Sequence, residues 1–204
     1  METNEKLEHM STRDKIIYVA INLMAKSGYK SVTIKEIAKH ASVSEMTVFR
    51  HFGTKKQIME YAIDHFYYTA PMKKIFNENI EWDLEKDLLL VSKSYHELMN
   101  RNVKVISIAF KEGNTIPGLL DQINKHPRQL KEFLVDYFSK MQELGKIIPS
   151  DPETYAMIFL YLSYGEFVSR SFVAGHMITS IPQEEIIKTS VRLFVKSLTP
   201  QSIS

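Results

Sequence analysis

At 204 residues with 44% hydrophobic content, the chain has enough apolar material for one large domain or two modest ones. It contains no cysteine, which excludes a disulfide framework and a thiolate metal site, and its net charge of +2 is too small to announce a nucleic-acid binder by itself. No run reaches the roughly 18 apolar residues of a membrane span, Met157 to Ala174 being broken by Ser163, Glu166, Ser169 and Arg170. Met1 to Ser11 is polar and carries no leader pattern, so a cytoplasmic protein is expected.

In chain order, Ile16, Ile17, Ala20, Leu23 and Met24 predict a first helix that Ser27-Gly28-Tyr29 stops. Thr33 and Glu36 form a capping box, after which Ile34, Ile37, Ala38 and Ala41 recur at helical spacing. Ser42-Val43-Ser44 then interrupts, and Val48 and Phe52 resume an apolar stripe four residues apart. Ser44 is well typed to cap this second short helix, and Thr54 with Gln57 opens another. Any all-helical protein contains such caps. Two short helices joined by a tight turn can also pack on a third and leave one face free for the major groove of DNA.

On that face the spacing exposes Ser44, Glu45, Met46, Thr47, Phe49 and Arg50 and turns Val48 and Phe52 inward. Arg50 suits a bidentate contact to guanine or a phosphate clamp; Glu45 can accept from cytosine and Met46 can touch a thymine methyl. Thr47 can bond a phosphate or a base edge. Between Ser11 and Ala70 nine Lys or Arg face five acids, a net +4, so the remainder of the chain is slightly acidic. A basic module on an acidic body is the distribution of an electrostatically docked DNA reader.

Beyond the motif, Lys55 to Tyr68 continues a stripe through Ile58, Ala62 and His65 or Phe66, with Pro71 marking an end or kink. Helices are predicted over Asp83 to Asn100, Val103 to Phe110, Pro117 to Leu144 with a kink at Pro127, Pro152 to Ala174, and from Ser180-Ile181-Pro182-Gln183 to Leu198. The expected fold is all-α with about nine helices: a three-helix DNA-binding module over 10–70 and a helical body over 71–204. Pro152 to Ala174 is apolar around most of its circumference, which suits either the core of a monomer or an interface between subunits.

Enzyme signatures are missing. His96-Glu97-Leu98-Met99-Asn100 lacks the second histidine of a zinc pair, there is no GxSxG, GxxxxGK[ST] or GxGxxG, and seven glycines leave little for phosphate cradles. His96, His126 and His176 read as solvated or hydrogen-bonded side chains. No catalytic residue, metal site or cofactor is assigned.

The run Thr33-Ile34-x-x-Ile37-Ala38-x-x-Ala41-x-Val43-Ser44-x-x-Thr47-Val48-Phe49-x-His51-Phe52-x-x-Lys55, with Ile16 to Tyr29 before it, closely resembles the TetR family of bacterial transcriptional repressors. The resemblance covers about the first third of the chain. It implies phosphate contacts from His51 and Lys55, the latter at a helix N-terminus, and a phosphate contact added to the cap made by Thr33. Family members commonly carry Tyr where this chain has Phe49, so that phenol's phosphate bond is absent here. It also implies a homodimer through the last two helices, with Phe159, Phe167, Phe172, Ile187, Val191 and Phe194 as candidate interface residues. The body would sense a small apolar or aromatic effector, with Trp82, Tyr95, Met99, Phe110, Phe133, Tyr137, Tyr161 and Tyr164 as candidate lining, and would release a palindromic DNA operator.

Overall fold

The computed structural model describes residues 9–66 and 69–200. Among them are ten α-helices, one short 3-10 turn (Gly175–Met177) and no strand. The helices are α1 (Thr12–Ser27), α2 (Ile34–His40), α3 (Glu45–Phe52), α4 (Lys55–Phe66), α5 (Thr69–Glu78), α6 (Leu84–Arg101), α7 (Val103–Glu112), α8 (Leu119–Glu143), α9 (Pro152–Phe172) and α10 (Gln183–Leu198). The one beyond the nine expected is α5. Pro71 does not stop a helix but sits in the first turn of α5, where its missing N–H leaves no intrahelical partner unmet. The expected continuation to Tyr68 lies outside the described residues, as do the side chains of the stripe position at His65 or Phe66 and of His176.

The chain divides into two compact units, residues up to Phe66 with Asn102–Ile123, and residues 67–101 with 124–204. In the first, α1 is the central post. Ser11 caps it by accepting from the Asp14 N–H at 3.2 Å, and Gly28 ends it at φ +85°, a conformation that glycine adopts without a Cβ penalty. Its Ile16, Ile17, Ala20 and Met24 are buried where α2, α4 and α7 pack against it. Ile37, Val48, Ile58, Met59 and Ile108 complete the core, each contributing about 1.5–3 kcal/mol by leaving water. The short helices α2 and α3 are thus held by a scaffold several times their own size.

In the second unit α6 packs on α5, α9 and α10, and α9 packs on α10. Asp151 starts α9 by accepting from the Glu153 and Thr154 N–H groups, with Pro152 at the first helical position. Phe194 of α10 lies 5.9 Å from both Phe138 of α8 and Phe159 of α9, tying three helices into one aromatic core. Asp87 is buried with both oxygens engaged, by the Tyr137 hydroxyl at 3.0 Å and the Glu81 N–H at 2.9 Å. Burial, and then the Asp87 charge, push the Tyr137 phenol well above its ordinary range.

This packing reassigns the outer surface of the last two helices. Phe159, Phe167, Ile187, Val191 and Phe194 lie in the unit's own core, and Phe172 is half-buried with its ring 5.6 Å from that of Phe167. One residue along a helix turns the side chain by about 100°. The outward apolar face is therefore Ile158, Tyr161 and Leu162 on α9 and Leu193 on α10.

Candidate nucleic-acid interface

The local sequence fixes α2, the turn and α3 bond by bond. Thr33 accepts from the Glu36 N–H at 3.2 Å while the Glu36 carboxylate accepts from the Thr33 N–H at 2.8 Å, closing the capping box. Those bonds from Thr33, the backbone one foremost, hold the Glu36 carboxyl below its ordinary value. At the other end α2 finishes in a Schellman arrangement, Val43 N–H donating to Ala38 O at 3.0 Å and Ser42 N–H to Lys39 O at 3.3 Å. Ser42 takes φ +55°, where glycine is the usual residue, at a cost of about 1–2 kcal/mol. The turn thus bends sharply enough to start α3 only three residues later, at Glu45.

Ser44 caps α3 by accepting from the Thr47 N–H at 3.0 Å, and its hydroxyl lies 2.8 Å from that of Thr47. Gly53, at φ +68°, closes the helix. Val48 and Phe52 are buried as expected from their spacing. Met46 is 73% exposed and Phe49 64%, and Glu45 and Arg50 stand open beside them. Large apolar side chains held in water on a helix locked at both ends mark a surface awaiting a partner. Thr47 and His51 are half-buried at its margins, and Thr33 is exposed at the start of α2.

The charges agree. Glu36 is engaged in its capping box, whereas the side chains of Arg50, and of Lys35 and Lys39 on α2, make no hydrogen bond or ion pair among the described residues. Helical spacing alone does not single out these two lysines; their signal in the sequence is the basic excess of the segment. Lys55 is placed differently. Its ammonium donates to the carbonyl oxygens of Tyr29 and of Val32, the latter at 2.8 Å, and sits 4.2 Å from the centre of the Tyr29 ring. Partial burial lowers its pKa, against the opposing pull of Glu112 and Glu36.

The candidate effector residues occupy several settings. Trp82 stacks on Tyr137 at 5.8 Å and Phe133 on Phe76 at 5.4 Å, while Tyr95 and Met99 are buried in α6. Tyr161 and Tyr164 are exposed on α9, and Phe110 is exposed on α7 of the first unit. A cleft between α6, α9 and α10 is lined by Ser92, His96, Phe159, Leu162, Ser163, Glu166, Ile186, Ile187, Ser190 and Val191, none of them among those eight. There His96 is buried rather than solvated, with Nδ1 2.8 Å from Ser92 O and Nε2 3.2 Å from a Glu166 carboxylate oxygen without hydrogen-bond geometry. Glu166 also accepts from Arg170 and Gln183. His126 is buried as well.

Among the described residues no helix is long and apolar enough to cross a membrane. The sequence pattern of the bacterial regulatory proteins of the tetR family matches residues 16–62, the segment that folds as α1 to α4. YvkB of Bacillus subtilis (strain 168), an uncharacterized HTH-type transcriptional regulator, is 32% identical over 187 residues, covering 92% of this chain and 97% of its own length. A protein from Saccharomonospora viridis, solved in complex with choline, shares the fold at a TM-score of 0.73 and 18% identity, over 93% of this chain and 98% of that one. So does AibR, solved in complex with isovaleryl coenzyme A and operator DNA, at a TM-score of 0.65 and 19% identity, over 90% and 97%. With the capped helix-turn-helix and a relative matching along nearly its whole length, the chain belongs to the tetR family of bacterial regulatory proteins and is a DNA-binding transcriptional regulator, not an enzyme.

Proposed function

We propose that this regulator is a cytoplasmic homodimeric repressor, held on a palindromic operator through 10–70 and released when a small apolar or aromatic effector binds within 71–204. The observation that carries the DNA part is the outward face of α3, where Arg50, Met46 and Phe49 stand without partners on a helix fixed at both ends. Arg50 reads guanine or clamps a phosphate, Glu45 and Met46 meet base edges, and Phe49 packs against the backbone. Thr33, Ser44, Thr47, His51 and Lys55 hold phosphates around them, Lys55 from its seat on the Tyr29 and Val32 carbonyls.

The dimer is supported by the outward apolar side chains of Ile158, Tyr161, Leu162 and Leu193 on the last two helices. A palindromic operator offers such a dimer two half-sites on successive major grooves, about 34–36 Å apart, one for each α3. The complexes of AibR with a coenzyme A ester and operator DNA, and of the S. viridis protein with choline, support effector sensing. An effector acts only through unequal affinity for the DNA-competent and DNA-incompetent arrangements.

Footprinting of the purified protein on the DNA upstream of its own gene tests the reading. Two protected half-sites about one helical turn apart are expected, followed by release in a screen of small apolar compounds. Absence of protection on that DNA and on genomic fragments overturns it.

A further inference from the structure

We propose that Arg13 is a phosphodiester clamp flanking the recognition helix, a contact that adds to the duplex interface proposed above and rests on it. Arg13 lies at the start of α1, far in sequence from α3, yet its guanidinium carbon is 5.6 Å from the centre of the Phe52 ring and 3.9 Å from that of Tyr61 on α4. Phe52 is the last residue of α3, and the ring of its neighbour His51 is 6.2 Å from the same Phe52 ring. Arg13 and His51 therefore flank one end of the recognition helix.

Three observations make this a prepared anion contact rather than a stray surface charge. Arg13 is exposed and makes no hydrogen bond or ion pair among the described residues; the acid beside it, Asp14, accepts from the Ser11 hydroxyl at 2.6 Å. A guanidinium lying on an aromatic ring has one face covered, so its N–H donors project from its edge, the geometry that matches two oxygens of a phosphate. The ring contact also removes rotamer freedom before the anion arrives, so less entropy is lost on binding.

Position supplies the ligand. A recognition helix presents its N-terminal residues to base edges, which leaves the C-terminal end of α3 at the rim of the groove. When the face around Met46 and Arg50 enters that groove, the His51–Phe52 end meets the wall of phosphates, and Arg13 stands beside it.

The test is the salt dependence of binding to a random-sequence 30-base-pair duplex, with melting curves as a fold control. Arg13→Gln removes charge and stack; Arg13→Met keeps an apolar cover on Tyr61 but removes the charge; Arg13→Lys keeps the charge. Losing one phosphate contact flattens the slope of log affinity against log salt by about 0.9, so the Gln and Met variants should both fall by about that amount while Lys holds the wild-type slope. A purely structural tie between α1 and α4 shifts the melting curve of Arg13→Gln and leaves every slope at the wild-type value, which overturns the proposal. Wild-type protein that fails to bind any duplex overturns the whole interface, Arg13 included.

Discussion

The ammonium of Lys55 lies 2.8 Å from the carbonyl oxygen of Val32, so the first residue of α4 ties down the connection that leads into α2. One cation then sets the approach of the helix-turn-helix and, in the proposed interface, faces a phosphate. Lys55→Ala should lower stability by about 1–2 kcal/mol through the lost charge-assisted bonds, weaken binding to every duplex, and flatten the salt slope by about one. Melting and salt titration on the same preparation separate the two roles. A lower melting temperature with an unchanged slope makes Lys55 a tie alone and strikes it from the phosphate contacts.

Arg50 carries a different signature. Its side chain is exposed and unpartnered, so truncation leaves no buried group unsatisfied, and Arg50→Ala should melt with the wild type. Operator binding should weaken by ~1–3 kcal/mol with relaxed preference at one base pair. Selection from a randomised duplex pool checks this: uniform weakening with the preference intact assigns Arg50 to a phosphate instead.

The capping box predicts a pH effect whose sign is fixed. Hydrogen bonds from the Thr33 backbone and hydroxyl hold the Glu36 carboxyl below its ordinary value of 4.5 in the fold. A carboxyl lowered by folding contributes stability above its unfolded value, and that contribution is lost as pH falls from there through the folded value. Glu36→Gln keeps the cap shape but cannot titrate. Wild type should melt above this variant at neutral pH, with the gap closing below about pH 4.5. A gap independent of pH would remove the carboxylate from the cap's energetics.

How far these features could be read in advance depends on their range. The caps at Thr33 and Ser44 and the inward turn of Val48 and Phe52 follow from spacings of three or four residues, which a helix imposes locally. Arg13 over Tyr61, and Lys55 on the carbonyls of Tyr29 and Val32, join residues more than twenty positions apart, and no periodicity announces such a meeting. The aromatic residues of the body are ambiguous in sequence for a related reason. Phe159, Phe167 and Phe194 have the same chemistry whether they fill a core or cover a partner, and only the packing of α6 against α9 and α10 decides between them.

That packing yields the sharpest test of the proposed dimer. Leu193 is 66% exposed on α10 and Phe194, its neighbour, is buried against Phe138 and Phe159, so adjacent substitutions should have opposite consequences. Leu193→Glu, or Leu162→Glu on α9, places a charge on the outward apolar face; each should give folded monomers that bind a single half-site weakly. Phe194→Ala empties a core site and should cost about 3–5 kcal/mol of subunit stability. Sedimentation velocity beside thermal melting distinguishes the two. If the glutamate variants remain dimers, the subunits pair through another surface; a monomeric wild type at micromolar concentration removes the paired recognition helices, and with them the palindromic operator.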